Sequence, residues 1–430
     1  MTSRLSPSVM RQQLLASSAG AGRRPMIAPH FVLVVAAANP FIWLEGKTGM
    51  LHRKSVAFDR EVFLWQTSGG VSRYFSNLIG QFAVNRELNT DPVLLFRATV
   101  NRHLADLAID GVRVLPFADV PAAAVKAARH QPIPRLRELT LSALGGSCAR
   151  GMYDIVHLTH FQPRERDTQS GARLAVTVHD MIPEMRPSDW RGRHPHPRKK
   201  ELVLSADLVF CVSGATADSL NELYGHIPGK VVTAPHGVNH SIFQPQSPPL
   251  PSQLDRPYVL YVGSRSRYKN FGALLSALSI LRKEGRDLGL VLVGGGVLRR
   301  AERRSIAGLL SVGEFRHCFP SDQELASLYN GSAVFCFPSL QEGFGLPILE
   351  AMACGCPTVI SDIPVFHEVG GDAAEYFDPY SAESLANKLS EVLRDSERRK
   401  NLRAKGLERA ACFTWHNTAK LVCEAYESIM

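Results

Sequence analysis

Two doubly wound α/β domains facing a cleft are the fold class that this 430-residue chain predicts. The length exceeds what one hydrophobic core usually serves. In both halves short apolar runs alternate with helical patterns, the mark of βαβ units and parallel sheets. Between the halves lies Phe243-Gln-Pro-Gln-Ser-Pro-Pro-Leu-Pro251, too rich in proline for a helix or a central strand.

The expected strands of the first half are Ser55–Phe58, Pro92–Phe96, Gly111–Leu115, Ile155–Leu158, Leu174–Val178 and Leu208–Val212. Those of the second are Tyr258–Val262, Gly289–Val293, Ala333–Phe337 and Thr358–Ile360. Ligands of such folds sit beyond the carboxyl ends of the strands, so the loops there hold the candidate site.

Composition excludes disorder and fibres, with 45% hydrophobic and 21% charged residues. The cysteines show no disulfide framework, and Cys354-x-Cys356 lacks a second pair at zinc spacing, so structural thiols in a reduced compartment are expected. The net charge of +9 is uneven. Residues 1–54 carry Arg4, Arg11, Arg23, Arg24, Lys47, Arg53 and Lys54 against Glu45 alone, and a second basic cluster runs from Arg186 to Lys200. Such patches suit an anionic membrane face or a diphosphate, and no nucleic-acid module accompanies them. Met26–Leu44 has no acid, lysine or arginine, but Pro29, His30, Asn39 and Pro40 interrupt it. A poorly ordered basic extension is therefore expected over 1–54, rather than a membrane span.

The densest chemistry follows the run Ala333–Pro338. Glu342-Gly343-Phe344-Gly345-Leu346-Pro347 is a Gly-containing turn carrying a carboxylate, and a helix bearing Glu350 follows it. Pro347 suits the first helical turn. Backbone N–H groups of Gly343, Phe344 and Gly345 can point at an anion or a sugar hydroxyl. In the same half, Gly263-Ser-Arg265-Ser-Arg267-Tyr-Lys269 ends a strand in glycine and cations, a pattern that suits an anionic ligand. In the first half, Gly69-Gly70-Val-Ser-Arg73-Tyr74-Phe75 opens a helix, where paired glycines let backbone approach a phosphate or sugar closely. Val178-His179-Asp180 ends another strand, and Val156-His157-Leu-Thr-His160 a third.

The two acids with seven residues between them, together with Gly-Phe-Gly-Leu-Pro inside and Ala-Cys-Gly-Cys-Pro after, resemble the signature of retaining glycosyltransferases of the GT-B fold, particularly family 4. The resemblance covers about residues 55–430 and implies roles. Glu342 would face the donor sugar, and Glu350 would hold the ribose hydroxyls. Arg265 and Lys269 would hold the donor diphosphate, leaving Arg267 a bystander. His179 would approach the sugar, with Asp180 orienting it or capping a turn. His157 and His160 remain possible acceptor-side groups. Gly69, Gly70, Gly343, Phe344, Gly345 and Leu346 would line the donor site. The Gly-Gly-Val-Ser-Arg-Tyr-Phe loop is similar to that of a bacterial mannosyltransferase-like branch. Pro235-His236-Gly237-Val238-Asn239 departs from the branch's more usual Pro-Asn-Gly-Val-Asp.

The implied plan is an extension over 1–54, an acceptor-side Rossmann-like domain over 55–242 and a linker over 243–257. A donor-binding domain over 258–411 follows, then a terminal helix over 412–430 returning to the first domain. The implied enzyme is a retaining, metal-independent hexosyltransferase using GDP-mannose, with no cofactor. It would act on a polysaccharide or lipid-linked glycan in the cytoplasm, where the basic clusters would suit peripheral binding to the membrane face. No Asp-x-Asp pair occurs in the chain. UDP-glucose is the alternative donor. An epimerase or hydrolase of sugar nucleotides, and a non-catalytic assembly protein, are the rival classes.

Overall fold

The computed structural model describes residues 53–66, 69–95, 101–105, 113–114, 153–161, 171–190, 194–246 and 254–430. Most of the N-terminal extension, the stretch Met26–Leu44 and linker residues 247–253 lie outside the described residues. Among the described residues, no helix is long and apolar enough to cross a membrane.

The chain builds two all-parallel sheets. The first has seven strands in the order β3-β2-β1-β4-β5-β6-β7. These are β1 Lys54–Phe58, β2 Thr90–Leu94, β3 Arg113–Val114, β4 Ile155–Leu158, β5 Arg173–Val178, β6 Leu208–Cys211 and β7 Lys230–Thr233. The second has six, in the order β10-β9-β8-β11-β12-β13. They are β8 Tyr258–Val262, β9 Gly289–Val293, β10 Phe315–Cys318, β11 Val334–Phe337, β12 Thr358–Ser361 and β13 Glu375–Phe377. In each sheet the winding reverses once, at β1/β4 and at β8/β11, and those switch points open a crevice at the carboxyl edge.

All but one of the expected apolar runs fall on interior strands, whose faces are both covered by helices; Gly111–Leu115 overlaps the two-residue edge strand β3. Three strands carry no such run. β7 and β10 lie at sheet edges with half-exposed side chains, and β13 is a three-residue edge strand. Half-solvated edges lack a continuous apolar pattern, which is why the sequence did not mark them.

The terminal helix Trp415–Glu427 packs into the core of the first sheet. Trp415, Ala419, Val422 and Tyr426 join Val56, Phe58, Phe75 and Phe210 in one buried cluster. Just before this helix, Thr414 pairs with Val238 in an isolated parallel bridge. Phe243, where the proline-rich seam starts, is buried in the second half's core against Tyr329.

His157 is a tie within this packing, not a ligand-facing group. Its ring is fully buried, with Nδ1 2.6 Å from Tyr426 Oη and Nε2 2.7 Å from Thr177 Oγ1. Burial holds its pKa at about 3, so the ring is neutral and each nitrogen has a partner. Replacing His157 by Ala strands the Tyr426 and Thr177 hydroxyls in the core. Urea denaturation of His157→Ala should show a loss of about 2–4 kcal/mol; a loss below about 1 kcal/mol would mean that the tie contributes little.

Candidate functional site

The site forms where the carboxyl ends of β8 and β11 meet the first half. Beyond β11 the chain runs through Pro338 to Gly345, where Gly345, at φ 105°, opens the helix Leu346–Ala353 with Pro347 in its first turn. Glu342 lies in the turn and Glu350 in the helix. Beyond β8 a short 3-10 turn, Arg267–Lys269, brings Lys269 back over the turn.

Lys269 Nζ lies 2.5 Å from Glu342 Oε1, and Ser339 Oγ donates to the same oxygen at 2.6 Å. Burial alone would lower the Lys269 pKa. The Glu342 carboxylate and the Tyr268 hydroxyl outweigh it and hold the amine above its ordinary value. The ammonium also lies over the Phe337 ring at 5.1 Å. Lys269 is therefore a firmly charged cation next to a carboxylate, at the switch point of the second sheet.

Arg265 is placed differently from Lys269. Its Nη1 donates to Gly294 O at 3.0 Å, and Nη2 donates to the carbonyls of Gly295, Gly296 and Val297 at 3.0, 2.9 and 3.2 Å. Nε is 3.2 Å from Glu302 Oε2. The guanidinium thus knits together the loop after β9, where three successive glycines run at φ 77°, 72° and 71°. That left-handed run is one that side chains rarely adopt. The triplet Gly294-Gly-Gly296 is the sequence signal for this loop.

The turn docks directly on the first half. Gly343 passes so close to the His179 carbonyl that a Cβ there would overlap it. Gly343 O accepts hydrogen bonds from Ser213 Oγ at 2.7 Å and Thr216 Oγ1 at 3.0 Å. From the second half, the Glu368 carboxylate accepts from Gly214 N at 2.8 Å and Ala215 N at 3.2 Å, satisfying the first turn of the helix Gly214–Tyr224. Phe344 stacks on His236 with ring centroids 4.8 Å apart.

His179 is half-buried, its ring packed against Tyr74, Phe75 and His236, and its two shielded ring nitrogens have no hydrogen-bond partner among the described residues. His236 is alike in this. Burial pushes the His236 pKa down to about 3. Burial, then the neighbouring His236, His157, His160 and Lys199, lowers that of His179 well below its ordinary value. Both are neutral imidazoles. The Asp180 Oδ1 accepts at 3.0 Å from the N–H of Ile182, the first residue of the short helix Ile182–Met185, so this bond ties it to the following turn and not to the His179 ring. His160 packs on His196 at 4.8 Å instead of reaching this turn.

Gly69 caps the helix Gly70–Val84, and Gly70 is open to solvent. Arg73, the fourth residue of that helix, stands in the Gly69–Phe75 motif, where the sequence by itself assigns it no role. Arg73 Nη1 pairs with Glu350 Oε1 and Nη2 donates to Asp322 Oδ1 at 2.5 Å, joining the two halves. Tyr329 Oη donates to Glu350 Oε2 at 3.1 Å. Burial raises the Glu350 pKa to about 7 against the opposing pull of Arg73. Leu346 and Glu350 line a cavity of about 210 Å³ with Arg73, Asp322, His103 and Phe243. The second basic cluster is largely spent on internal pairs. Lys199 is buried 3.1 Å from Glu184, Arg186 pairs with Asp189 at 3.1 Å, and Arg198 with Glu201 at 2.9 Å.

Two descriptions from family comparison fit this geometry end to end. Residues 68–242 match the model Glycosyltransferase Family 4, and residues 243–409 match Glycosyl transferases group 1. The O-antigen chain mannosyltransferase B of Escherichia coli is 31% identical over 276 residues, 59% of this chain and 70% of that one. The chain belongs to glycosyltransferase family 4. This glycosyltransferase is also 28% identical over 304 residues to the serotype-specific mannosyltransferase WbdA of E. coli, covering 64% of its own length but only 37% of WbdA. Its fold matches Anabaena HepE, solved with UDP and glucose, at a TM-score of 0.64 and 16% identity, over 87% of this chain and 100% of that one. The architecture of the glycosyltransferase is GT-B.

The buried histidines set its response to acid. A histidine with a depressed folded pKa stabilises the fold fully above its unfolded value near 6.5, and that stability drains as pH falls toward the folded pKa. His157, His179 and His236 all act this way. His103, His160 and His196, each lowered to about 4, act the same way, whereas Glu350, raised to about 7, and Asp180, raised above its ordinary value, act oppositely. The thermal midpoint should therefore fall steadily from pH 6.5 to pH 5; a flat or rising midpoint across that interval would contradict neutral burial of these rings.

Proposed function

We propose that this glycosyltransferase moves mannose from GDP-mannose, with retention and without a metal, to a hydroxyl of a polysaccharide or lipid-linked glycan. The observation that carries the reading is the meeting of Lys269, Glu342 and the His179 segment on one turn between the two halves. As the bond from the sugar's anomeric carbon to the phosphate oxygen breaks, negative charge gathers on the nucleoside diphosphate. Lys269, firmly protonated, neutralises it where it appears. Arg265 supports the same region by fixing the glycine loop 294–297.

His179 is neutral and offers an imidazole to a sugar hydroxyl without repelling the positive charge that develops on the sugar ring. Glu342, already engaged by Lys269 and Ser339, orients the sugar instead of attacking it. The acceptor hydroxyl then approaches from the face the phosphate leaves, and a departing phosphate oxygen takes its proton. Mannose and the glycan acceptor are supported by the names of the E. coli relatives. A cytoplasmic setting with peripheral membrane binding would rest on the basic residues of 1–54, because most described cations of the second cluster are paired.

Transfer assays with GDP-mannose, UDP-glucose and related donors test the reading, with and without acceptor. Turnover should be greatest with GDP-mannose, need an acceptor and survive EDTA. A UDP-sugar preference would move the donor assignment, acceptor-free turnover would point to a hydrolase or epimerase, and loss on chelation restored by magnesium would overturn the metal-free step. Lys269→Ala should lower kcat by roughly 10²-fold. Glu342→Gln should reduce kcat more than it weakens GDP binding; equal losses in both would sink the separation of roles.

A further inference from the structure

Arg73 stands apart from every role assigned above, yet it is the most heavily engaged cation between the halves. It projects from the first half's helix Gly70–Val84. Both its partners belong to the second half: Asp322 opens the helix Asp322–Gly331, and Glu350 lies on Leu346–Ala353. The Glu350 side chain is only 4% exposed, that of Arg73 18%. Its own half supplies Glu350 with a single described side-chain donor, the Tyr329 hydroxyl. A second carboxylate, Asp322, shares the same guanidinium. Without the cation, the second half would hold two neighbouring acids, one of them buried and nearly unpaired, an arrangement that costs several kcal/mol.

We propose that Arg73 completes the nucleoside site from the opposite half of the molecule: it fixes the Glu350 carboxylate so that ribose hydroxyls can donate to it, and so makes nucleotide binding depend on both halves standing together. The proposal rests on the ribose role of Glu350. Arg73 acts through Glu350 and is a positioning residue. The guanidinium is suited to this because its planar fork reaches two carboxylates at once, which a lysine ammonium does not do with the same geometry. A carboxylate has lone pairs left for ribose after one hydrogen bond from Arg73 and one from Tyr329. The groups facing Glu350 are Arg73, Asp322 and Tyr329, and His103, kept neutral with a pKa of about 4, faces Arg73 and Asp322.

Isothermal titration with GDP and with inorganic pyrophosphate, which has no ribose, tests the proposal on the full chain. The proteins are wild type, Arg73→Met, Arg73→Lys, Glu350→Gln and the Arg73→Met/Glu350→Gln pair, from pH 6 to 8.5. Arg73→Met should weaken GDP roughly 10-fold or more at pH 7. Part of that affinity should return toward pH 8.5 as the unsupported Glu350 ionises. Pyrophosphate binding should be unchanged, and the double variant should bind GDP no more weakly than Glu350→Gln alone. Arg73→Lys should lie between wild type and Arg73→Met, and it carries the test should Arg73→Met fail to fold. Unchanged or tighter GDP binding in the Arg73 variants, or additive losses in the pair, would overturn the proposal while leaving the ribose role intact. Wild-type GDP affinity in Glu350→Gln would instead sink the ribose role and the proposal with it.

Discussion

The ion pair between Arg73 and Glu350 is the constraint around which the two halves are arranged. A carboxylate buried in the helix after the turn cannot remain charged without a cation close by, and the second half supplies none to it among its described residues. The cation comes from the first turn of a helix in the first half. A buried charge is thereby satisfied only across the cleft, which gives the separation of the halves an electrostatic cost.

The neighbouring contacts follow the same logic with neutral groups. Gly343 offers its carbonyl to Ser213 and Thr216, and Glu368 offers its carboxylate to the helix-opening amides of Gly214 and Ala215. Each is a polar group of one half satisfied by the other. Phe344, His236 and Trp415 fill the space between with stacked rings. The close approach of Gly343 to the His179 backbone allows no side chain, so the spacing of the halves is set by the absence of a single Cβ. The turn that carries Glu342 is thus also the part of the second half most tightly held by the first.

Neutral histidines suit such a seam. Protonated rings near Lys199 would be repelled by it, and would have to be desolvated in an aromatic enclosure. Burial removes that charge and leaves nitrogens able to donate or accept one hydrogen bond each. His157 uses both within the core, whereas His179 and His236 keep theirs unspent toward other described residues. Histidines of the same half therefore separate into a structural tie and rings whose nitrogens have no partner among the described residues, according to what the neighbouring chain offers.

By itself the sequence determined the periodic features: continuous apolar runs for the central strands, glycine-containing turns at their ends, and the acids and cations of the second half at fixed offsets from those strands. These are local, because strand, turn and helix propensities act over a few residues, and so the sequence alone sets Lys269 and Glu342 each at the end of a strand. Tertiary structure alone decided the pairings. That Arg73 meets Glu350, 277 positions away, that Arg265 spends its guanidinium on four carbonyls of the loop after β9, and that His157 faces Tyr426 are results of how separate elements pack. No periodicity encodes them, since burial and partnership are fixed by the other half of the chain and by the terminal helix. The half-exposed edge strands were silent for a related reason: their residues answer to solvent on one side, and only the sheet they join makes them strands.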